Sequence, residues 1–518
     1  MRSQRTATAR KGSAQWERAL VGALGALAFG ATALVAQETQ ELSLAEAIEM
    51  AKRNNPTYRI TANDQAAADW SVREAYGNLL PAVTAGGSAQ YTEAGVQRFG
   101  TVDLGVQTTD WYSSGYSLSF NWGISGNTIF GVSSARAAQE STAAGIRAAE
   151  FDLQSLVTLQ YMSALRARDA VAVASDQFDR AQQNLDIVQT RVAMEDVAAT
   201  EGRQAEVDLG RAEVALLQAE RLFRAEQHRL MEQMGVALNG QIDLVSEFEV
   251  FEPTWDRDEL LDEALSRHPS LRAARAQEGS SRAQVRQARS AYFPTVNISS
   301  SLRGFTQQAL NEDFIVSSTQ DRAAGSVMGC ERNNALANAI GGLPGWDVLD
   351  CNQFAYTDAL GERALAANSE FPFDFTKNPL SLTLSVSLPV FQGFSRQRQV
   401  EQAQAGASDA SHRLRQEELR LRTAVTQSLD NLQSAYRQVE IETRNRELAS
   451  QRLEEARQRY EVGNTSVLEL MDAQTSLTTA QRDYLVAVYN FHQSLVGLEA
   501  ATGRSLRTVP EGAESPQS

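Results

Sequence analysis

Past its first 36 residues the chain contains no run of twenty apolar residues, which excludes a bundle of membrane-spanning helices. Positive charge is scarce as well. Its 48 Lys and Arg stand against 64 Asp and Glu, a formal net charge of −16, which argues against nucleic acid as a partner. The four histidines, His228, His268, His412 and His492, lie singly, with no second ligand at metal spacing, and there is no nucleophile elbow or phosphate loop. An enzyme, a metal site and a cofactor are therefore not expected. Proline is rare too, with none between Pro81 and Pro253 or between Pro389 and Pro510, and this leaves room for very long helices. The two cysteines, Cys330 and Cys351, fall in a Gly-, Asn- and Ala-rich insert. In an exported protein a disulfide between them is the expectation, with two free thiols the alternative.

Export is suggested by the N-terminus. Arg2, Arg5, Arg10, Lys11 and Arg18 precede an apolar stretch from Ala19 to Ala36 with alanines spaced for cleavage, so residues 1–36 read as a signal peptide. No cysteine stands at the cut to carry a lipid.

The few prolines reveal a duplication. Pro56 and Pro269, and likewise Pro81 and Pro294, are 213 residues apart, and Glu46, Ala51 and Asn55-Pro56-Thr57 stand opposite Glu259, Ala264 and His268-Pro269-Ser270. The expected organisation is a first repeat over 37–253, a second over 254–503 and a tail without structure over 504–518.

Each repeat carries two alternating segments. In Leu380–Leu388 the residues Leu380, Leu382, Leu384, Val386 and Leu388 share one face, with only Ser and Thr on the other. Weaker versions occur at 82–92, 112–122 and 295–303. Their length is that of a tilted strand crossing a bilayer, and a half-buried soluble sheet is the alternative. Four strands cannot close a barrel, and an open edge in lipid would leave backbone amides unpaired. Two copies would give a barrel filled by its own side chains, and three a lumen, so a homotrimer with a twelve-stranded barrel in the lipid bilayer is expected. The connections 92–111 and 304–379 read as long outer loops.

The rest reads as helix, at 57–80, 131–193 and 200–235 in the first repeat and 270–293, 395–460 and 466–503 in the second. The two longest would be roughly 95–100 Å. Phe178, Ala181, Leu185, Val188 and Val192, and Leu421, Val425, Leu429, Leu432, Tyr436 and Val439, follow steps of three and four, which is coiled-coil spacing. Val236 to Trp255 reads as a strand-like connector outside the helical stack. The fold class is thus mainly α with a membrane β-barrel portion, a shared barrel continued by a helical barrel.

The doubled repeat, the Leu388-Pro389-Val390-Phe391-Gln392-Gly393 exit and the stretch Tyr460-Glu-Val-Gly-Asn-Thr-Ser-Val-Leu-Glu-Leu-Met-Asp-Ala-Gln474 resemble the TolC-like outer membrane efflux proteins of Gram-negative bacteria. The resemblance implies a trimeric outer-membrane duct reaching into the periplasm, which exports solutes when an inner-membrane transporter and a periplasmic adaptor dock at its lower end. It assigns Tyr460 to the closing bonds, Glu469 and Asp472 to an acidic pore constriction, Glu201 to the place of an acidic latch partner, and Val462, Gly463, Asn464 and Thr465 to the adaptor-contacting tip. Thr465 stands where many members have an arginine, and the first tip, Val192-Ala-Met-Glu-Asp196, lacks the usual glycine. Glu469 and Asp472 are one helical turn apart on one face, so threefold symmetry would gather six carboxylates and favour cations; two solvated acids are the alternative. The rival function is a trimeric outer-membrane adhesin or stalk.

Overall fold

The computed structural model describes residues 40–99, 101–237, 242–340, 348–368 and 371–507; the expected signal peptide lies outside them. In chain order the first repeat comprises β1 (Gln40–Leu42), α1 (Leu44–Asn54), α2 (Pro56–Gly77), β2 (Ala82–Thr92), β3 (Gly95–Phe99), β4 (Val102–Thr108), β5 (Trp111–Ile124), α3 (Gly126–Ala193), α4 (Ala199–Met234) and β6 (Ile242–Leu244). The second comprises α5 (Arg257–Arg267), α6 (Pro269–Arg289), β7 (Thr295–Ala309), α7 (Glu312–Ile340), α8 (Asp358–Ala367), β8 (Thr376–Lys377), β9 (Ser381–Ser387), α9 (Ser395–Glu461) and α10 (Val467–Thr502). The duplication survives in the lengths: α3 has 68 residues and α9 has 67, while α4 and α10 have 36 each.

Local chemistry sets the starts of these helices. Ser43 and Glu46 form a capping box at α1. Asn55 caps α2 and His268 caps α6, each followed by a proline at the first helical position, where the missing N–H costs nothing. One of the four histidines is therefore a helix cap, with its Nε2 2.9 Å from the Ala500 carbonyl. The helix α3 begins before Gly131, at Gly126, because Ser125 and Thr128 cap each other.

The antiparallel sheet runs β2–β5–β7–β9, with β8 pairing the far end of β7. Among the described residues β2 pairs only with β5, and β9 only with β7, so both outer strands have a free edge there. Along β9 every residue is exposed, including Leu382, Leu384 and Val386. The helical layer follows the same sequence order. The upper part of α3 lies between α2 and α6, where Gln139 donates to Asp69 at 2.7 Å and Ser141 to Gln277 at 2.8 Å. In turn α6 reaches α9 through Ser270, which donates to Glu417 at 2.6 Å. Lower down, α3 lies between α4 and α10: Gln160 donates to Glu226 at 2.8 Å, and Arg180 to Gln481 at 3.0 Å.

Two hydrophobic cores occupy the middle of the molecule. The first joins β1, β6 and α1 to α3 and α4 around Tyr161, whose hydroxyl donates to the Leu42 carbonyl at 2.7 Å and accepts the Ser246 amide at 3.2 Å. The second joins α5 to α9 and α10 around Leu432, Phe491 and Leu495. The connector after Val236 is not a strand outside the stack. Among its described residues only Ile242–Leu244 pairs, in parallel with β1, while Val250, Phe251 and Trp255 pack against the second core, because their side chains complete its apolar surface.

Two further expectations are corrected. The connection between β7 and β9 is not an open loop: it holds α7 and α8, and the first connection holds the β3–β4 hairpin. Cys330 on α7 is disulfide-bonded to Cys351, and the Asn334 side chain both donates to the Leu349 carbonyl and accepts its amide. The Asn368 side chain makes the same two-way bond to the backbone of Ala309, fastening the return of this insert to the end of β7. The tail, in turn, is packed as far as Arg507. Glu499 accepts the amides of Leu506 and Arg507 at 2.8 and 3.2 Å, and Leu506 is buried.

Candidate functional site

The long helices end in two hairpin tips, one joining α3 to α4 and the other α9 to α10. Both close by the same backbone bonds. Asp196 N–H donates to Arg191 O and Glu195 N–H to Val192 O, at 2.9 and 3.0 Å; Asn464 N–H donates to Arg459 O and Gly463 N–H to Tyr460 O, at 2.8 and 3.0 Å. Arg191 thus corresponds to Arg459, Val192 to Tyr460 and Glu195 to Gly463. Gly463 lies at φ 75°, and Glu195 adopts the same left-handed conformation at φ 61° despite its side chain.

Apolar contacts hold the tips together. Tyr460, Ala456, Leu470 and Ala473 pack with Ile187 of α3, while Leu185, Val188 and Ala205 form a second cluster; Val467 touches both. Tyr460 is 2% exposed, and its hydroxyl has no hydrogen-bond partner among the described residues. Burial pushes this phenol above its ordinary pKa, and the charge of Glu201 adds to the rise. The Arg191 guanidinium lies over the Tyr460 ring at 4.6 Å, donates to the Tyr460 carbonyl at 3.3 Å and pairs with Asp196 at 2.7 Å. Arg191 therefore clasps the second tip from the first, a contact that the sequence reading missed.

The acids singled out in the sequence have definite partners. Glu469 pairs with Arg459 at 3.1 Å and accepts a hydrogen bond from Thr465. Asp472 pairs with Arg452 at 2.6 Å, and Arg452 also donates to Ser476 at 3.3 Å. Glu201 stays near Tyr460 but forms no ion pair among the described residues. Thr465 thus turns to its own hairpin and makes no bond to Glu201. Register carries the missed arginines: in an antiparallel hairpin, residues equally far from the turn face each other, which sets 459 opposite 469 and 452 opposite 476, with Asp472 one turn nearer the tip and still within reach of Arg452.

At the extreme end, Val462 is 70% exposed and lies beside Gly463, Asn464 and Thr465. Met194 and Leu468, which the sequence reading passed over, are each 72% exposed. Three exposed apolar side chains at one end of a helical rod form a surface suited to a protein partner. Among the described residues, no group of three or more His, Cys, Asp or Glu could hold a metal ion, and no helix is long and apolar enough to cross a membrane.

Residues 260–327 and 358–504 match the family model described as "Outer membrane efflux protein". The outer membrane protein TolC of Escherichia coli (strain K12) is 23% identical over 475 residues, covering 90% of this chain and 83% of the relative. Protein CyaE of Bordetella pertussis is 23% identical over 481 residues, covering 92% and 87%. Among solved structures, the Campylobacter jejuni CmeC outer membrane channel superposes with a TM-score of 0.65 at 14% identity, covering 89% of this chain and 85% of the other. The open state of the Neisseria gonorrhoeae MtrE outer membrane channel superposes with 0.63 at 17% identity, covering 90% and 89%. At such identities the superpositions establish the fold.

Proposed function

We propose that this chain, which belongs to the TolC-like outer membrane efflux proteins, serves as the exit duct of an efflux or secretion pathway and that three copies build that duct. The observation that carries the assembly is the exposed sheet with two free edges, β2 and β9, and an apolar face formed by Leu382, Leu384 and Val386. Unpaired edges are not tolerated in lipid, and β9 of one copy against β2 of the next would remove them all in a closed barrel. Three copies would give the twelve strands that leave a lumen open. The helices support the same closure. No residue of α2 is buried among the described residues, and Ile60 and Trp70 are exposed, which leaves apolar surface that the α9 of a neighbour would cover.

The duct would sit in the outer membrane and extend through its long helices into the periplasm. It would move solutes passively, with energy and cargo choice left to an inner-membrane transporter. A periplasmic adaptor would meet the tip at Val462, Gly463, Asn464 and Thr465, with Met194 and Leu468 enlarging the apolar contact. Tyr460, Glu201, Glu469 and Asp472 would line the constriction, with Arg191 holding the two hairpins together while it is closed. An adhesin or stalk would need no such pair of hairpin tips at the end far from the membrane.

The test is direct. Detergent-purified protein should sediment as three chains and conduct ions in planar bilayers, and cells lacking it should accumulate an exported compound. A folded monomer that is soluble without detergent would overturn the reading.

A further inference from the structure

We propose that Arg452 and Arg459 set the ion selectivity of the duct, by cancelling the charge that Asp472 and Glu469 bring to its lower end. This rests on the duct reading above and goes beyond it. On sequence, the two acids suggest a cation-selective, divalent-binding ring. In the fold each acid has its own guanidinium on the opposite helix of the hairpin, Arg459 at 3.1 Å from Glu469 and Arg452 at 2.6 Å from Asp472. The two arginines stand two turns apart on one side of α9, facing the two acids, which stand one turn apart on α10. Second contacts hold them there, since Ser476 accepts from Arg452 and Thr465 donates to Glu469.

All four side chains are about half exposed, so these pairs contribute little to stability. Their consequence is electrostatic. Selectivity follows the fixed charge within a Debye length of the passing ion, about 8 Å at physiological salt. A guanidinium in contact with each carboxylate therefore keeps the local sum near zero, even when a particular hydrogen bond opens. In the first hairpin Arg191 is taken up by Asp196, and Glu195 and Glu201 form no ion pair among the described residues, which leaves a modest negative balance. The wild type should therefore prefer cations only weakly.

The experiment is reversal-potential measurement in planar bilayers under a KCl gradient. It compares the wild-type trimer, Arg452→Gln/Arg459→Gln, and the quadruple variant that adds Glu469→Gln and Asp472→Asn. Field focusing in a narrow charged constriction predicts a potassium-to-chloride permeability ratio within about threefold of unity for the wild type and about tenfold higher for the double variant. The quadruple variant should return to the wild-type value, and millimolar Mg2+ should block the double variant alone. A wild type already strongly cation-selective and blocked by Mg2+, or a double variant with unchanged selectivity, overturns the proposal. If trimers of the wild type and of every variant fail to conduct, the duct reading falls and this proposal falls with it.

Discussion

The two hairpin tips share a backbone and differ in almost everything attached to it. In the second, the turn residue is Gly463, Ser466 caps α10 by accepting the Glu469 amide at 3.4 Å, and a buried tyrosine precedes the turn. In the first, Glu195 takes the left-handed position, Ala198 offers no side-chain cap to α4, and partly buried Val192 stands where Tyr460 does. A common ancestral unit explains the matching turns, and the differences show where each copy has been specialised. The second tip is locally well made and carries the paired acids. The first is locally less favourable and reaches across, through Arg191, to hold its counterpart. Stability at the lower end is thus concentrated in one hairpin, and the linkage between hairpins depends on the other.

The largest break in this comparison should come at its most buried position. Tyr460→Ala should destabilise the tips by about 3–5 kcal/mol, whereas Val192→Ala at the matched place should cost about 1 kcal/mol. Hydrogen exchange of the tip amides, read for both hairpins, separates the two. Tyr460→Phe sharpens the point. Its hydroxyl is buried without a partner, so removing it should leave protection unchanged or raise it by roughly 1 kcal/mol. A loss of protection would reveal a hydrogen bond to that hydroxyl formed only in the assembly.

The two cores differ in a way that pH can expose. The first is organised around Tyr161, whose hydroxyl is fully used. His492 of α10 is buried where the two meet, between Phe248 and Tyr489 on the side of the first and Phe491 on the side of the second, with Arg507 near it. Burial, and then the charge of Arg507, lower the His492 pKa from 6.5 to about 4. The folded state therefore keeps this imidazole neutral where the unfolded chain would already bind a proton. Its contribution is complete above pH 6.5 and is lost progressively as the pH falls toward 4, by up to about 3 kcal/mol per chain. Unfolding followed over that window should show the amides of α10 around His492 losing protection before those around Tyr161, and His492→Gln should flatten the difference.

Much of this was visible in the residues. Alternation in Leu380–Leu388 marks a strand because one face holds only Ser and Thr, and prolines recurring at one offset expose the duplication by spacing alone. What stayed hidden depends on partners distant in sequence. The insert around Cys330 looks like loop by its glycines and asparagines, yet its alanine-rich stretch is helical, and Asn334 and Asn368 spend their side chains on backbone groups 15 and 59 residues away. Arg504–Arg507 shows no periodicity, and its order comes from Glu499 on the preceding helix. At the site, motif position singled out Glu469 and Asp472, but only the register of α9 against α10 supplies Arg459 and Arg452. Arg191 required the packing of one repeat on the other, which no local pattern encodes.

The smallest expected effects test whether the tips differ for the reason given. A non-glycine residue in the left-handed region carries a penalty of roughly 1–2 kcal/mol, so Glu195→Gly should stabilise the first hairpin by about 1 kcal/mol and Gly463→Ala should destabilise the second by a similar amount. No atom lies within 4 Å of a Cβ built on Gly463, so the second change reports on backbone conformation alone. Ala198→Ser should add the missing cap to α4, worth about 0.5–1 kcal/mol, and Ser466→Ala should remove it from α10. Protection of the tip amides should therefore converge in Glu195→Gly/Ala198→Ser. If the first tip gains nothing from both changes together, its weakness does not lie in its turn, and the contact of Arg191 with Tyr460 must already compensate for it.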